Sequence, residues 1–166
     1  MWTMRDKKKP WFPGQYSLPR SFGFAISGLW HALRYERNLR IHFTVGALVL
    51  YFSRYYSLSS AEYALLIMMI GFVIVCELFN TAIEKTVDLE TPVYNSLAKI
   101  AKDVAAGAVF VSAWASAVAG AVLLWDPAVI AVICRDVLAR LYIWIPLAVL
   151  ATLWIGFPQK KTRRGG

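Results

Sequence analysis

Glu77, Asn80, Glu84 and Asp88 follow one another at spacings of three, four and four in the run CELFNTAIEKTVD at 76–88. On a helix turning about 100° per residue they fall within about 80° of one another. The run closes an apolar stretch that carries no charge from Tyr63 to Cys76. An ionisable group in a helix of lipid length is costly, and its default reading is a functional site. Three carboxylates and an amide on one stripe, at the end of such a helix, suit metal binding and proton transfer at a membrane surface.

Two more clusters are expected on the same side. One is Glu36, Arg37 and Asn38 with Arg40; the other is Lys99, Lys102 and Asp103. Carboxylates with room for water are the ligands Mg²⁺ prefers, and they commonly share the ion with substrate phosphates. Lysine beside them offers phosphate a point charge. These are parts for phosphoryl transfer, in which metals neutralise charge and a carboxylate takes the attacking hydroxyl's proton. Each part also has a plainer reading. Glu77 could be a structural carboxylate paired with Arg or Lys, and Glu84 and Asp88 ordinary helix-end charges. Lys99 and Lys102 could be snorkelling side chains, and Glu36 with Arg40 an i, i+4 surface pair. His31 and His42 read as interfacial or packing histidines. Spacing alone does not name the reaction.

The elements that position these groups follow from periodicity. Leu18, Phe22, Ala25, Ile26, Leu29 and Leu33 recur at helical spacing between residues 18 and 35, with Arg20, His31 and Arg34 mostly opposite. This is an amphipathic helix suited to lying in the interface, with Ser17 as its cap. A first span is predicted at 36–55, with the charged turn 36–40 inside the same helix and Tyr51, Tyr55 and Tyr56 as its outer aromatic belt. A second span at 63–83 delivers the acidic stripe. The segment 84–103 is the inner connection, broken at Pro92. The third span, 104–125, has 22 uncharged residues. Its Ser112, Ser116 and Gly120 make a small-residue face for close packing, which predicts a place at the centre of the protein. Residues 126–140 are too short to cross, and 141–157, containing Pro146, form a fourth span of minimal length.

Composition agrees. The chain has 166 residues and is 58% hydrophobic, which excludes an ordinary soluble domain. The expected fold class is an all-α membrane protein: a basic irregular tail at 1–16, a core at 17–125 and an extension at 126–166. No cleavable signal peptide is expected in the first 20 residues, which lack an apolar segment. The net charge of +8 is partitioned by topology. Of 18 Lys and Arg, eight lie before the apolar part of the first span, Arg37 and Arg40 of its charged turn included, three in the inner connection and four in the C-terminal tail. Only Arg54, Arg135 and Arg140 remain for the other side, so both termini and the acidic stripe are expected in the cytoplasm. Nothing here forms a soluble basic surface for nucleic acid. Cys76 and Cys134 are isolated and read as packing thiols.

The run at 76–88 resembles the signature of the prokaryotic diacylglycerol kinase family, Glu-x-x-Asn-Ser/Thr-Ala-Ile-Glu-x-x-Val-Asp. ERNLRIH at 36–42 is similar to the first-span motif of its Gram-positive-type branch, and AKDVAAGAV at 101–109 is similar to the start of its third span. The resemblance covers about 17–125. It implies a small bacterial plasma-membrane lipid kinase, multi-pass, with an amphipathic surface helix and a three-span core. It implies homotrimers with active sites at subunit boundaries on the cytoplasmic face. The extension has no counterpart in the three-span form.

By the same resemblance, Glu77 matches the general base, Glu36 and Glu84 the carboxylates that hold Mg²⁺ and so position ATP, and Asn80 the amide of the lipid site. Lys102 and Asp103 match a nucleotide-contacting pair, and Phe24 an aromatic near the nucleotide. Tyr94 and Asn95 would line the nucleotide too. Val93 and Asn95 depart from the family's Glu and His on either side of that Tyr, which bears on nucleotide use. The branch motifs make undecaprenol the expected acceptor, with diacylglycerol the alternative. The absence of a Walker sequence, a kinase Gly-rich loop and a His-Arg-Asp motif fits a different kind of nucleotide site. Two readings from other classes stand beside this one: a proton- or cation-conducting protein using Glu77 as a relay, and a non-catalytic membrane scaffold derived from the kinase.

Overall fold

The computed structural model describes residues 18–90 and 94–157, and every regular element among them is helical. In chain order they are α1 (Leu18–Tyr35), α2 (Arg37–Phe52), a 3₁₀ turn (Ser53–Tyr55), α3 (Ser60–Glu90), α4 (Ser96–Leu123), α5 (Pro127–Ala139) and α6 (Leu141–Gly156). This is an all-α membrane protein, and α1 occupies the amphipathic segment that periodicity outlines. Ser17, its expected cap, lies outside the described residues.

Short polar residues start the helices. Ser59 and Glu62 close a capping box on α3: the Ser59 N–H and hydroxyl both donate to the Glu62 carboxylate, at 2.7 and 2.8 Å. The Asn95 side-chain oxygen accepts from the Leu97 and Ala98 N–H groups at the start of α4. Asp126 does the same for Ala128 and Val129 on α5, with Pro127 in the first turn.

Glu36 differs from expectation. It is not inside a helix; its backbone is extended, and it forms the joint between α1 and α2. The two helices therefore meet at a corner, and the Glu36 side chain leaves from that corner.

The second and third helices outrun their predicted spans. α3 has 31 residues and α4 has 28, about 46 and 42 Å, where about 30 Å would cross the hydrocarbon. The helical ladder does not stop where lipid ends. Glu84, Asp88, Lys99, Lys102 and Asp103 thus stand on helix and not in a loop, and the connection shrinks to 91–95. Pro92 and Val93 lie outside the described residues.

A further correction concerns the centre. The helix that touches α1, α2 and α4 is α3, and its Leu66, Val73, Glu77, Asn80 and Thr81 are buried. On α4 only Ala105, Val109 and Ser112 are buried, while Phe110, Trp114, Val118 and Val122 are exposed. The small-residue face works where α3 lies against it: the Ser116 hydroxyl donates to the Met69 carbonyl at 3.4 Å. At Gly120 an added Cβ would meet nothing within 4 Å. The close approach falls instead at Gly46 on α2, where a Cβ would lie 2.7 Å from Ile70 Cγ2 on α3.

α5 and α6 meet at 89°. α6 packs antiparallel to α2. Trp144 near its start lies 5.3 Å from both the Tyr51 and Phe52 rings, and Trp154 near its end lies under Arg40. The corner is anchored by Asp136, which accepts the Tyr55 hydroxyl at 2.7 Å and pairs with Arg140 at 2.9 Å. α6 therefore ends level with the beginning of α2. α3 and α4 are each long and apolar enough to cross a membrane, and the bent pair α5–α6 passes only when taken together. α2 and α6, with 16 residues each, are shorter.

Candidate active site

The acidic stripe is a single face of α3, and the fold turns its membrane-side end inward. Glu77 is 2% exposed and Asn80 is 7% exposed. A carboxyl this deep on an apolar helix is held there by packing on two sides. α2 brings Asn38 and His42 against it, and α4 brings Ala106, Val109 and Ala113. These groups enclose a cavity of about 260 Å³ with Glu77 and Asn80 in its wall. Glu84 and Glu36 lie within electrostatic reach of the Glu77 carboxyl.

One turn toward the inner end, the Asn80 amide N–H donates to Glu84 at 3.1 Å. That bond fixes the amide's orientation and turns Asn80 Oδ1 away. Oδ1 is buried and has no donor within the structure. A buried acceptor without a donor is expensive, and a ligand hydroxyl would satisfy it.

Glu36 reaches the same region from the α1–α2 joint. Lys85, the residue after Glu84, pairs with it at 2.8 Å. Further along, Lys102 of α4 pairs with Asp88 of α3, and Lys99 pairs with Asp103 at 2.5 Å. The stripe therefore has a dry end at Glu77 and Asn80 and a charged, wet end at Glu84 to Asp88.

Of the residues singled out from sequence, Glu36, Glu77, Asn80 and Glu84 are gathered at one place. Lys102 and Asp103 extend it along α4. Tyr94 is exposed, and the Asn95 oxygen serves the α4 cap. Phe24 is exposed on α1. Two further residues stand with them. His42, expected as an interfacial or packing histidine, lines the Glu77 cavity four residues beyond Asn38. Lys85, one of the inner-side positive charges, reaches Glu36. The four-residue spacing of Asn38 and His42 was a usable signal; the reach of Lys85 to another helix was not.

The donor set bears on whether a divalent cation fits here. Among the described residues no group of three or more His, Cys, Asp or Glu converges as a metal cage. Glu36 and Glu84 supply carboxylate oxygens from two different elements at the wet end. Hard-oxygen donors few in number fit Mg²⁺ shared with phosphates, and do not fit an all-protein metal site.

Residues 23–124 match the prokaryotic diacylglycerol kinase family. The chain belongs to that family. Its membership makes it a lipid kinase. Over 101 residues it is 44% identical to the undecaprenol kinase of Bacillus subtilis (strain 168), covering 61% of this chain and 82% of that one. Over 108 residues it is 41% identical to a diacylglycerol kinase of Synechocystis sp., covering 64% of this chain and 62% of that one. The family match ends before α5, so the bent pair that packs on α2 is additional to it.

Proposed function

We propose that this lipid kinase moves the γ-phosphoryl group of ATP to the hydroxyl of a membrane lipid, undecaprenol first and diacylglycerol second, with Glu77 as general base. The observation that carries this is the buried Glu77 carboxyl in the wall of a cavity that continues into an apolar groove. The groove, about 610 Å³, runs between α2, α3 and α4 past Val45, Ile70, Val73 and Ala117. It begins at His42 and Ala113, which also line the Glu77 cavity. A lipid tail lying in the groove would bring its terminal hydroxyl to Glu77 and Asn80.

In this reading the substrate's single hydroxyl proton faces Glu77, and Asn80 lines the lipid site beside it and positions the acceptor end of the substrate. Glu77 accepts the hydroxyl proton as the new O–P bond forms and the bond from the γ-phosphorus to the bridging oxygen breaks, releasing nucleoside diphosphate. Glu36 and Glu84 would hold Mg²⁺ with the nucleotide's phosphates, and the ion would neutralise charge on the transferred group. Lys102 and Asp103, with Phe24, Tyr94 and Asn95, are assigned to the nucleotide's approach. Family likeness supports a homotrimer, and the open apolar face of α4 at Phe110, Trp114 and Val118 is consistent with a neighbouring subunit or lipid. The positive-inside distribution supports a cytoplasmic active site in a bacterial plasma membrane.

The test is an assay of purified protein with labelled ATP, Mg²⁺ and both lipid alcohols. Undecaprenol phosphorylated in preference to diacylglycerol is the expected result. The reverse preference exchanges the two acceptors, and transfer to neither rejects the reading. The two relatives carry one lipid each in their names, so the identities do not choose between them.

A further inference from the structure

Arg40 is 2% exposed, and no carboxylate of the described residues pairs with it. Its Nε has no acceptor, its Nη2 donates to the Phe157 carbonyl only at 3.5 Å, and its guanidinium carbon sits 5.7 Å from the centre of the Trp154 ring. A guanidinium offers five N–H donors, and burying it without a counter-ion is strongly unfavourable. A cation over an aromatic face offsets only part of that cost.

The same guanidinium lines a cavity of about 400 Å³ between α1, α2 and α6. The other charged residue in its lining is Arg34, and among the described residues nothing acidic lines it. The rest of the wall is apolar or aromatic, with Trp30 on α1 and Leu150, Leu153 and Trp154 on α6. Arg40 lies on the opposite face of α2 from Asn38 and His42, so this space is separate from the Glu77 cavity. α6 and Phe157, which follows it, supply half of the lining.

The occupant must therefore bring negative charge to one end and hydrocarbon to the other. We propose that the pocket between α1, α2 and α6 is a second, non-catalytic site for an anionic phospholipid whose phosphate is held by Arg40, with Arg34 at its rim. Guanidinium binds phosphate oxygens through paired N–H donors. Basic pockets between membrane helices are suited to lipid headgroups. The hydrocarbon-lined wall formed by Leu150, Leu153 and Trp30 disfavours free phosphate or a nucleotide. This inference does not depend on which alcohol the kinase uses, and its readout is lipid retention rather than turnover.

The test uses the full chain in nanodiscs of phosphatidylcholine with a minor fraction of phosphatidylglycerol, followed by native mass spectrometry. Retention of phosphatidylglycerol over phosphatidylcholine, corrected for abundance, is expected at about fivefold or more, the weight of one basic residue at an anionic surface. Arg40→Gln should abolish the preference. Leu150→Trp, which fills the cavity and leaves Arg40 in place, should do the same with helical content and thermal midpoint unchanged. A folded Leu150→Trp protein that keeps the preference overturns the proposal, whether or not Arg40→Gln folds. Displacement of the lipid by millimolar inorganic phosphate overturns the lipid assignment.

Discussion

Lys85 Nζ lies 2.8 Å from the Glu36 carboxylate, joining the inner end of α3 to the corner between α1 and α2. Glu36 is the residue at which the chain leaves α1 and turns into α2. Its side chain is therefore aimed by a lysine neighbouring Glu84, the other carboxylate assigned to the metal. Lys85 is about half exposed, so the pair is screened and contributes little to stability. Its use is orientation. Lys85→Gln should raise KM for Mg·ATP by up to about fivefold, the equivalent of about 1 kcal/mol, with kcat nearly unchanged. The effect should shrink in high salt, where a surface pair is already screened. A fall in kcat alone would place Lys85 elsewhere in the reaction.

Glu77→Gln should lower turnover by about 10²–10⁴, the usual loss when a general base is removed. The amide nearly matches the carboxyl in size, so packing around α3 and nucleotide binding should survive. Near-normal turnover would remove Glu77 from the chemistry and favour the relay or scaffold readings.

Glu36→Ala and Glu84→Ala should each weaken binding of the metal–nucleotide, and the double variant should be less impaired than the two losses added. Groups that share one ion couple energetically. Titration of Mg²⁺ in all three variants measures this. Simple additivity would mean that the two carboxylates act on different partners.

Gly46→Ala should destabilise the protein, because the new Cβ falls 2.7 Å from Ile70 Cγ2. Overpacking at a fixed contact costs about 1–3 kcal/mol. Ile70→Leu moves the branch one carbon outward and removes the clashing methyl. The combined variant should regain much of the lost thermal stability in detergent, while Ile70→Leu alone should not raise it.

α6 runs antiparallel to α2, which puts α5 and the C-terminal end of α6 at opposite ends of the molecule. The native thiol Cys134 on α5 is exposed. A membrane-impermeant maleimide should label Cys134 in intact cells. A cysteine introduced at Gly165, in a Cys134→Ser background, should react only after permeabilisation. Labelling of both in intact cells would rule out a fourth crossing.

Periodicity placed α1 from Leu18 to Tyr35, because an interfacial helix writes its apolar face directly into its sequence. The α3 stripe was legible for the same reason: Glu77, Asn80 and Glu84 lie on one face of α3, and Asn80 bonds to Glu84. Hydropathy was a poor guide to helix length. It reports contact with lipid, whereas backbone hydrogen bonding carried α3 and α4 past the membrane boundary. Small residues on α4 suggested a central helix, but a small-residue face shows only that something approaches closely. That something was α3, on one side. The Glu36–Lys85 pair and the solitary Arg40 were invisible for a different reason. Both depend on which helices become neighbours, and no local spacing encodes that.

α2 and α6 lie side by side with 16 residues each, about 24 Å, less than the roughly 30 Å of hydrocarbon that α3 and α4 outrun. A bilayer surrounding the chain meets a low flank and a tall one. Lipid at the low flank must thin, or the chain must tilt, at a cost of fractions of a kcal/mol for each Å of mismatch. Added over several Å, that cost draws the protein toward short-chain regions of the membrane. Acyl-chain length is thereby expected to bear on which lipid surrounds the low flank, separately from any headgroup or acceptor alcohol.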